Sequence, residues 1–131
     1  MNPSVDEVAL ATLLTLPDRA EREDDLVRRG RFLTLDCSVG TLATPIYLRI
    51  EEGRVTDAVR GPALMRSVRF SYRATGEAWA AFWQPMPAPG FHDLLALTKR
   101  GAATLEGDLQ PFVANLQYFK DLFALPRGGA R

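Results

Sequence analysis

The spacing of apolar residues in this chain switches from a helical period to a strand period and back. The last switch frames the rest. After Gly101, residues 102–106 read as a short strand, Glu106-Gly107 as a turn, and Asp108 as the cap of a long helix that Pro126 stops. At 100° per residue, Leu109, Phe112, Val113, Leu116, Phe119 and Phe123 fall within an arc of about 120°. One face of that helix is therefore expected to close over something apolar. Tyr118, Leu122 and Leu125 form a shorter stripe on roughly the opposite side, expected to meet a second surface.

The chain opens in helical period. Ser4 and Glu7 match a capping box, and Val5, Val8, Ala9, Leu13 and Leu16 give an apolar side that Pro17 is expected to end. Asp18 with Glu21 repeats the start signal, and a mostly charged helix is predicted to run to Gly30. From Arg31 the period becomes two. Leu33, Leu35, Cys37 and Val39 point one way, and Phe32, Thr34, Asp36 and Ser38 the other. A turn at Gly40-Thr41 leads to a second strand over 42–51, with Ile46, Leu48 and Ile50 alternating against Tyr47, Arg49 and Glu51. Pro45 marks a strand entry or an edge in it. Glu52-Gly53 is a hairpin signal, and Val55 and Val59 belong to a shorter third strand. A fourth is predicted over 67–73. One apolar and one polar face per strand is the pattern of an antiparallel sheet covered on one side.

Helical period then returns in pieces. Thr75-Gly76-Glu77 opens a short helix that places Trp79 and Trp83 on one face. Pro85, Pro87 and Pro89 make 84–90 a stiff loop. Residues 91–100 read as a helix with Leu94, Leu95 and Leu97 apolar. Residues 127–131 read as a frayed tail.

Composition narrows the function classes. A length of 131 residues without a linker predicts one domain over 1–131. Sixteen basic residues balance sixteen acidic ones, so no bulk field draws the chain to nucleic acid. The cluster Arg28-Arg29-Gly30-Arg31 reads as a solvated helix face, with a phosphate-contacting patch as the alternative. The single cysteine excludes an intramolecular disulfide and fits a reducing compartment. The acidic start is unlike a secretory signal, and no apolar run is long enough for a membrane span. The expected location is cytoplasmic.

Catalytic chemistry is poorly supplied. His92 is the sole histidine, which excludes a metal site built on histidines. It reads as a solvated residue at a helix start, or as a base or rim contact. Cys37, on an apolar strand face, reads as a packed hydrophobe. Nucleophile-elbow and phosphate-loop motifs are absent, and Glu106 and Asp108 are explained by turn and cap. No enzyme, cofactor or metal is expected. The aromatic residues Trp79, Phe82, Trp83, Phe91, Phe112, Phe119 and Phe123 remain. They are either a generous core or the lining of an apolar cavity left between sheet and helices. Burying an acyl chain of about ten methylenes there would yield roughly 8 kcal/mol before ordering costs.

The order of these pieces resembles the sterol carrier protein, or non-specific lipid-transfer, family. The resemblance covers roughly 31–125. It is carried by the hairpin YLRIEEGRV from Tyr47, the strand over 68–72, the helix opened by Thr75-Gly76-Glu77, and KRGAATLEGD from Lys99, similar to the family's step from helix through strand to final helix. The resemblance implies an α+β fold. A five-stranded, mostly antiparallel sheet would carry helices on one face, with a hydrophobic tunnel between them for fatty acids, fatty acyl-CoA or sterols. Leu35, Cys37, Leu48 and Phe70 are then expected as floor, and Trp79, Phe82, Trp83, Phe91 and Leu94 as side wall. Phe112, Leu116 and Phe119 are expected as lid, and Lys99 or Arg100 as a rim contact to an anionic head group or a solvated helix end. The proline loop is longer than the family's usual link, and the ending Gly129-Ala130-Arg131 is no peroxisomal address. The rival reading is an interaction or homodimerisation module with a filled core, docking through Tyr118 and Leu122 or the first helix. A helix-grip fold would need about two more strands. An enzyme would need Asp36, Tyr47 or His92 to converge.

Overall fold

In the computed structural model, which describes residues 4–63 and 66–127, twelve elements follow in order. Three short helices come first, α1 (Val5–Leu13), α2 (Leu16–Glu21) and α3 (Asp24–Arg29), then β1 (Leu35–Gly40), β2 (Pro45–Glu51), β3 (Arg54–Arg60) and β4 (Phe70–Ala74). Helices α4 (Gly76–Phe82) and α5 (Leu94–Lys99) precede β5 (Ala103–Gly107), and α6 (Gln110–Ala114) and α7 (Leu116–Phe123) close the fold. Of the tail expected over 127–131, residues 128–131 lie outside the described residues. Arg127 is placed, and it matters below.

The strands form one sheet in the order β3-β2-β1-β4-β5. β1–β2, β2–β3 and β4–β5 are antiparallel, and the central β1–β4 pair is parallel. The alternation fixes the register. Leu35, Cys37 and Val39 stand opposite Ile50, Leu48 and Ile46, so the apolar positions of β1 and β2 share one face. Val39 opposite Tyr72 extends that face into β4. The other face carries Asp36, Arg49 and Glu51 in an ion-paired row, and a Ser38–Ser71 hydroxyl hydrogen bond of 2.6 Å. Pro45 takes the first position of β2, where its missing N–H costs no ladder bond.

The β2–β3 turn is as predicted, and it has a second role. Glu52 and Gly53 both have positive φ, 51° and 83°, the pairing a tight hairpin requires. A Cβ on Gly53 would lie 2.5 Å from the Val27 carbonyl oxygen, and one on Gly30 2.7 Å from Cδ1 of Tyr118. Two glycines thus let the end of α3, the hairpin tip and α7 meet without side chains between them.

The helices differ from the sequence reading in phase. α1 stops at Leu13, and Pro17 opens α2 at its second position instead of ending α1. The charged helix breaks at Arg22-Glu23 into α2 and α3. The long C-terminal helix is two helices. Asn115, at φ −121° and ψ 32°, interrupts it, and the Asn115 side-chain amide donates to the Pro111 carbonyl at 2.9 Å. The break shifts the helical phase, so the expected stripe does not hold. Leu109 and Val113 are 40% and 62% exposed, while Tyr118 and Leu122 join Phe119 and Phe123 in the core. Asp108 is not the cap the sequence suggests. Leu109 takes the N-cap position without a side-chain cap bond, and the Asp108 carboxylate, one residue earlier, accepts from the Gln110 N–H at 3.2 Å in a turn and pairs with Arg69.

The first strand begins at Leu35, not Arg31, because Leu33 turns inward beneath the hairpin, its carbonyl accepting from the Gly53 N–H at 3.1 Å. β2 and β4 likewise begin three residues later than predicted, at Pro45 and Phe70, and β3 runs longer. α1 lies against α4 and β1, α2 against β3, and α5 against β5. The apolar face of β1, β2 and β4 is covered, its inward residues all buried.

Candidate functional site

The space between sheet and helices is the site to build. From β4, Phe70 and Tyr72 rise into it. Above them, Phe112 from α6 meets Phe70 edge-on at 5.3 Å, and Phe119 from α7 meets it edge-on at 5.1 Å. Phe112 and Phe119 stack on each other at 5.5 Å, and Phe119 lies 5.9 Å from Phe123. From α4, Trp79 packs against Tyr72, Phe82, Trp83 and Phe123 at 5.1 to 6.2 Å. Offset and edge-on geometry at these separations is the favourable range for aromatic pairs.

Each polar tip of the layer reaches a backbone carbonyl on another element. The Tyr72 hydroxyl donates to Leu94 at 2.7 Å, and the Trp79 indole N–H to Gly40 at 3.0 Å. The Trp83 N–H donates to Phe123 at 2.8 Å, and the Tyr118 hydroxyl to Gly53 at 2.7 Å. Buried donors are thereby satisfied and four pairs of elements are pinned. Burial pushes the phenols of Tyr72 and Tyr118 well above the ordinary tyrosine range, with nearby Asp93 and Cys37 respectively adding to it. Burial, with Asp36 second, pushes the Cys37 thiol far up as well, which leaves it protonated and inert.

The predicted residues fall into two groups. Leu35, Cys37, Leu48, Phe70, Trp79, Phe82, Leu94, Phe112 and Phe119 are buried in one core. Trp83, Phe91 and Leu116 are half-buried and pack on its border. Cys37, Leu48, Trp79, Leu94, Phe112 and Phe119 have no accessible surface, so no water-sized void touches them. The rings fill the space in which the resemblance places a tunnel. Sequence reasoning counted Phe123 among the inward aromatics but left Tyr72 and Tyr118 out of the lining. Tyr72 was signalled by its alternation with Phe70, but the shifted phase of α7 left no signal for Tyr118. The three polar residues an enzyme would need do not converge. Asp36 and Tyr47 lie on the outer sheet face, and His92 lies beside α5. Of the two expected rim cations, Arg100 stacks 4.1 Å over Phe91.

Among the depressions formed by the described residues, two border this layer. One of about 320 Å³ lies at the β3 edge, floored by Ala20, Val27 and Val55 and rimmed by Asp18, Glu21 and Arg54. Another of about 170 Å³ lies between α4, the start of α5 and α7, where Phe82 and Ala124 meet His92, Asp93, Lys120 and Arg127. Among the described residues, no three or more His, Cys, Asp or Glu side chains converge as metal ligands, and no helix is long and apolar enough to cross a membrane.

Neither a protein-family model nor a curated protein matches this chain. Solved structures do. A crystal structure of sterol carrier protein 2 matches with a TM-score of 0.67 at 16% identity, over 93% of this chain and 96% of that one. The ubiquinone synthesis protein UbiJ, with its sterol carrier protein 2 domain, gives 0.57 at 18% identity over 95% of each chain. A sterol carrier protein domain of Helicoverpa armigera, solved in solution, gives 0.52 at 12%, over 95% of this chain and 93% of that one. The fold is that of the sterol carrier proteins.

Proposed function

We propose that this protein binds, and hands on, a lipophilic small molecule between its sheet and helices, with no chemistry of its own. Fatty acids, fatty acyl-CoA and sterols are the ligand classes in view, and the cytoplasm the location. The observation that carries the reading is the unequal attachment of the roof. α7 is tied down by the Tyr118–Gly53 and Trp83–Phe123 hydrogen bonds and by ion pairs from Asp121 to Arg29 and from Lys120 to Asp93. α6 has five residues, buries only Pro111 and Phe112, and is bounded by the turn at Asp108 and the break at Asn115. Tilting α6 alone would withdraw Phe112 from Phe70 and Phe119 and open the apolar layer.

The magnitudes permit this. Removing one aromatic ring from a packed core costs about 3–5 kcal/mol, and burying about ten methylenes returns roughly 8. The gross burial of a medium-length acyl chain therefore exceeds the cost of the displaced ring by about 3–5 kcal/mol, before ordering costs. The names of the matched structures, sterol carriers and a ubiquinone synthesis protein, support an apolar ligand class.

A second reading, an interaction module with a filled core, is favoured by the exposed apolar pair Leu109, at the N-cap of α6, and Val113 on that helix. Its docking surface would be that pair or α1, where Val5 and Val8 are exposed, since Tyr118 and Leu122 are buried. Native mass spectrometry of the purified protein with a fatty-acid and sterol panel separates the two. Ligand-sized mass additions support the carrier. An apo mass throughout, with a dimer peak lost in Val113→Asp, makes the protein an interaction module.

A further inference from the structure

We infer that the depression between α4, α5 and α7 is the head-group site of an anionic amphiphile, with Arg127 as its recognition residue. This rests on the carrier reading and adds the chemical class of the ligand. The depression has an apolar wall continuous with the aromatic layer. Phe82 lines it and packs at 5.9 Å on Trp79. Its polar wall holds two cations and two carboxylates, and the carboxylates are matched. Lys120 pairs with Asp93 at 3.4 Å, and Arg29 reaches in to pair with Asp121, which also accepts from Gln117 at 2.9 Å.

Arg127 is different. Among the described residues it pairs with no carboxylate. Its guanidinium lies 4.6 Å over the Phe82 ring, its Nε donates to the Phe82 carbonyl at 2.9 Å, and one Nη donates to the His92 carbonyl at 3.4 Å. These contacts hold the planar fork in place and use two of its five N–H groups. The remaining donors, fixed beside an apolar wall, suit a carboxylate or phosphate whose tail runs past Phe82. Partial desolvation lowers the Arg127 pKa, as expected of a cation held off water, and leaves it charged.

The test compares dodecanoate with dodecanol, equal in tail and different in charge, by calorimetry at pH 8. Wild type is expected to bind dodecanoate about tenfold more tightly, the size of one charge-assisted contact. Arg127→Gln should abolish that preference while leaving dodecanol binding and the folded circular-dichroism spectrum unchanged, and Arg127→Lys should retain part of it. Equal affinity of wild type for both ligands, or equal loss of both in Arg127→Gln, would overturn the head-group assignment and leave the carrier reading standing. Displacement of dodecanoate by equimolar inorganic phosphate would overturn it too, as a free-anion site. Binding of neither amphiphile would overturn this inference and confine the carrier reading to sterols.

Discussion

Truncating Phe112 to alanine tests the packing of the roof. The ring has no exposed surface and sits between Phe70 at 5.3 Å, Phe119 at 5.5 Å and Tyr72 at 6.2 Å. With partners on every side, its removal loses the transfer free energy of the ring, roughly 2–3 kcal/mol, and leaves a void that the flanking rings cannot fully fill. The expected loss of stability for Phe112→Ala is about 3–5 kcal/mol, a large fraction of what a domain of this size holds. If the ring instead bordered an open tunnel, the void would already exist, and only the transfer part, roughly 2–3 kcal/mol, would be lost. Urea unfolding followed by the tryptophans distinguishes these, provided the m-value is unchanged. Val113→Ala on the exposed side of the same helix is the control and should stay within about 0.5 kcal/mol of wild type. A loss below about 3 kcal/mol for Phe112→Ala would refute the filled layer. Where the layer is filled, the same variant should take up an acyl chain more tightly than wild type, because no ring need be withdrawn.

Other expectations are as direct. Gly30→Ala should cost about 1–3 kcal/mol by forcing Tyr118 off Gly53, read as a lower melting temperature, and Tyr118→Phe should soften that penalty little because the clash is with the ring. Trp79→Phe keeps a ring but orphans the Gly40 carbonyl, for a loss of about 1–3 kcal/mol in urea unfolding. Cys37, Tyr72 and Tyr118 have raised native pKa values, so they stay protonated where the unfolded chain ionises, and stability must fall as pH rises. The decline should begin near pH 8.5, the unfolded thiol value, and steepen near pH 10 by up to about 1.4 kcal/mol per pH unit for each tyrosine. Tyr72→Phe should remove one tyrosine's share of that slope. A thiol reagent at neutral pH should label Cys37 only at the rate of unfolding, and rapid labelling of the native protein would contradict its burial.

Much of the sheet could be read from the sequence because one-sided burial imposes a period of two. Leu35, Cys37 and Val39 against Ile46, Leu48 and Ile50 announce their shared face, and Glu52-Gly53 announces the turn that aligns them. The parallel pairing of β1 with β4 could not be read, since alternation says which face a residue takes and nothing about which neighbour its strand finds. The division at Asn115 was equally hidden. Asn is an ordinary residue in a helix, and what makes it a break is α7 rotating to bring Tyr118 onto Gly53, a contact between residues 65 positions apart. The aromatic residues of the candidate site were legible as a set, but whether rings meet or leave a gap depends on how high the helices ride above the sheet. Arg127 was missed because the C-terminal residues carry no period. Its importance comes from the carbonyls of Phe82 and His92, which only the folded chain brings near.

The central parallel pair has a consequence for how the molecule is made. β1, β2 and β3 are joined by short turns and can zip together as soon as they are synthesised. β1 cannot find β4 until the chain between Gly40 and Phe70 has crossed back, and the apolar face of all five strands has no complete cover until α6 and α7 exist. On the ribosome, the meander therefore stands with only α1 to α3 to shield Cys37, Leu48 and Ile50 while more than half of the chain is still to come. The nascent protein passes through a stage that presents a wide greasy surface, and its yield in a cell will depend on what shields that surface until the last helices arrive.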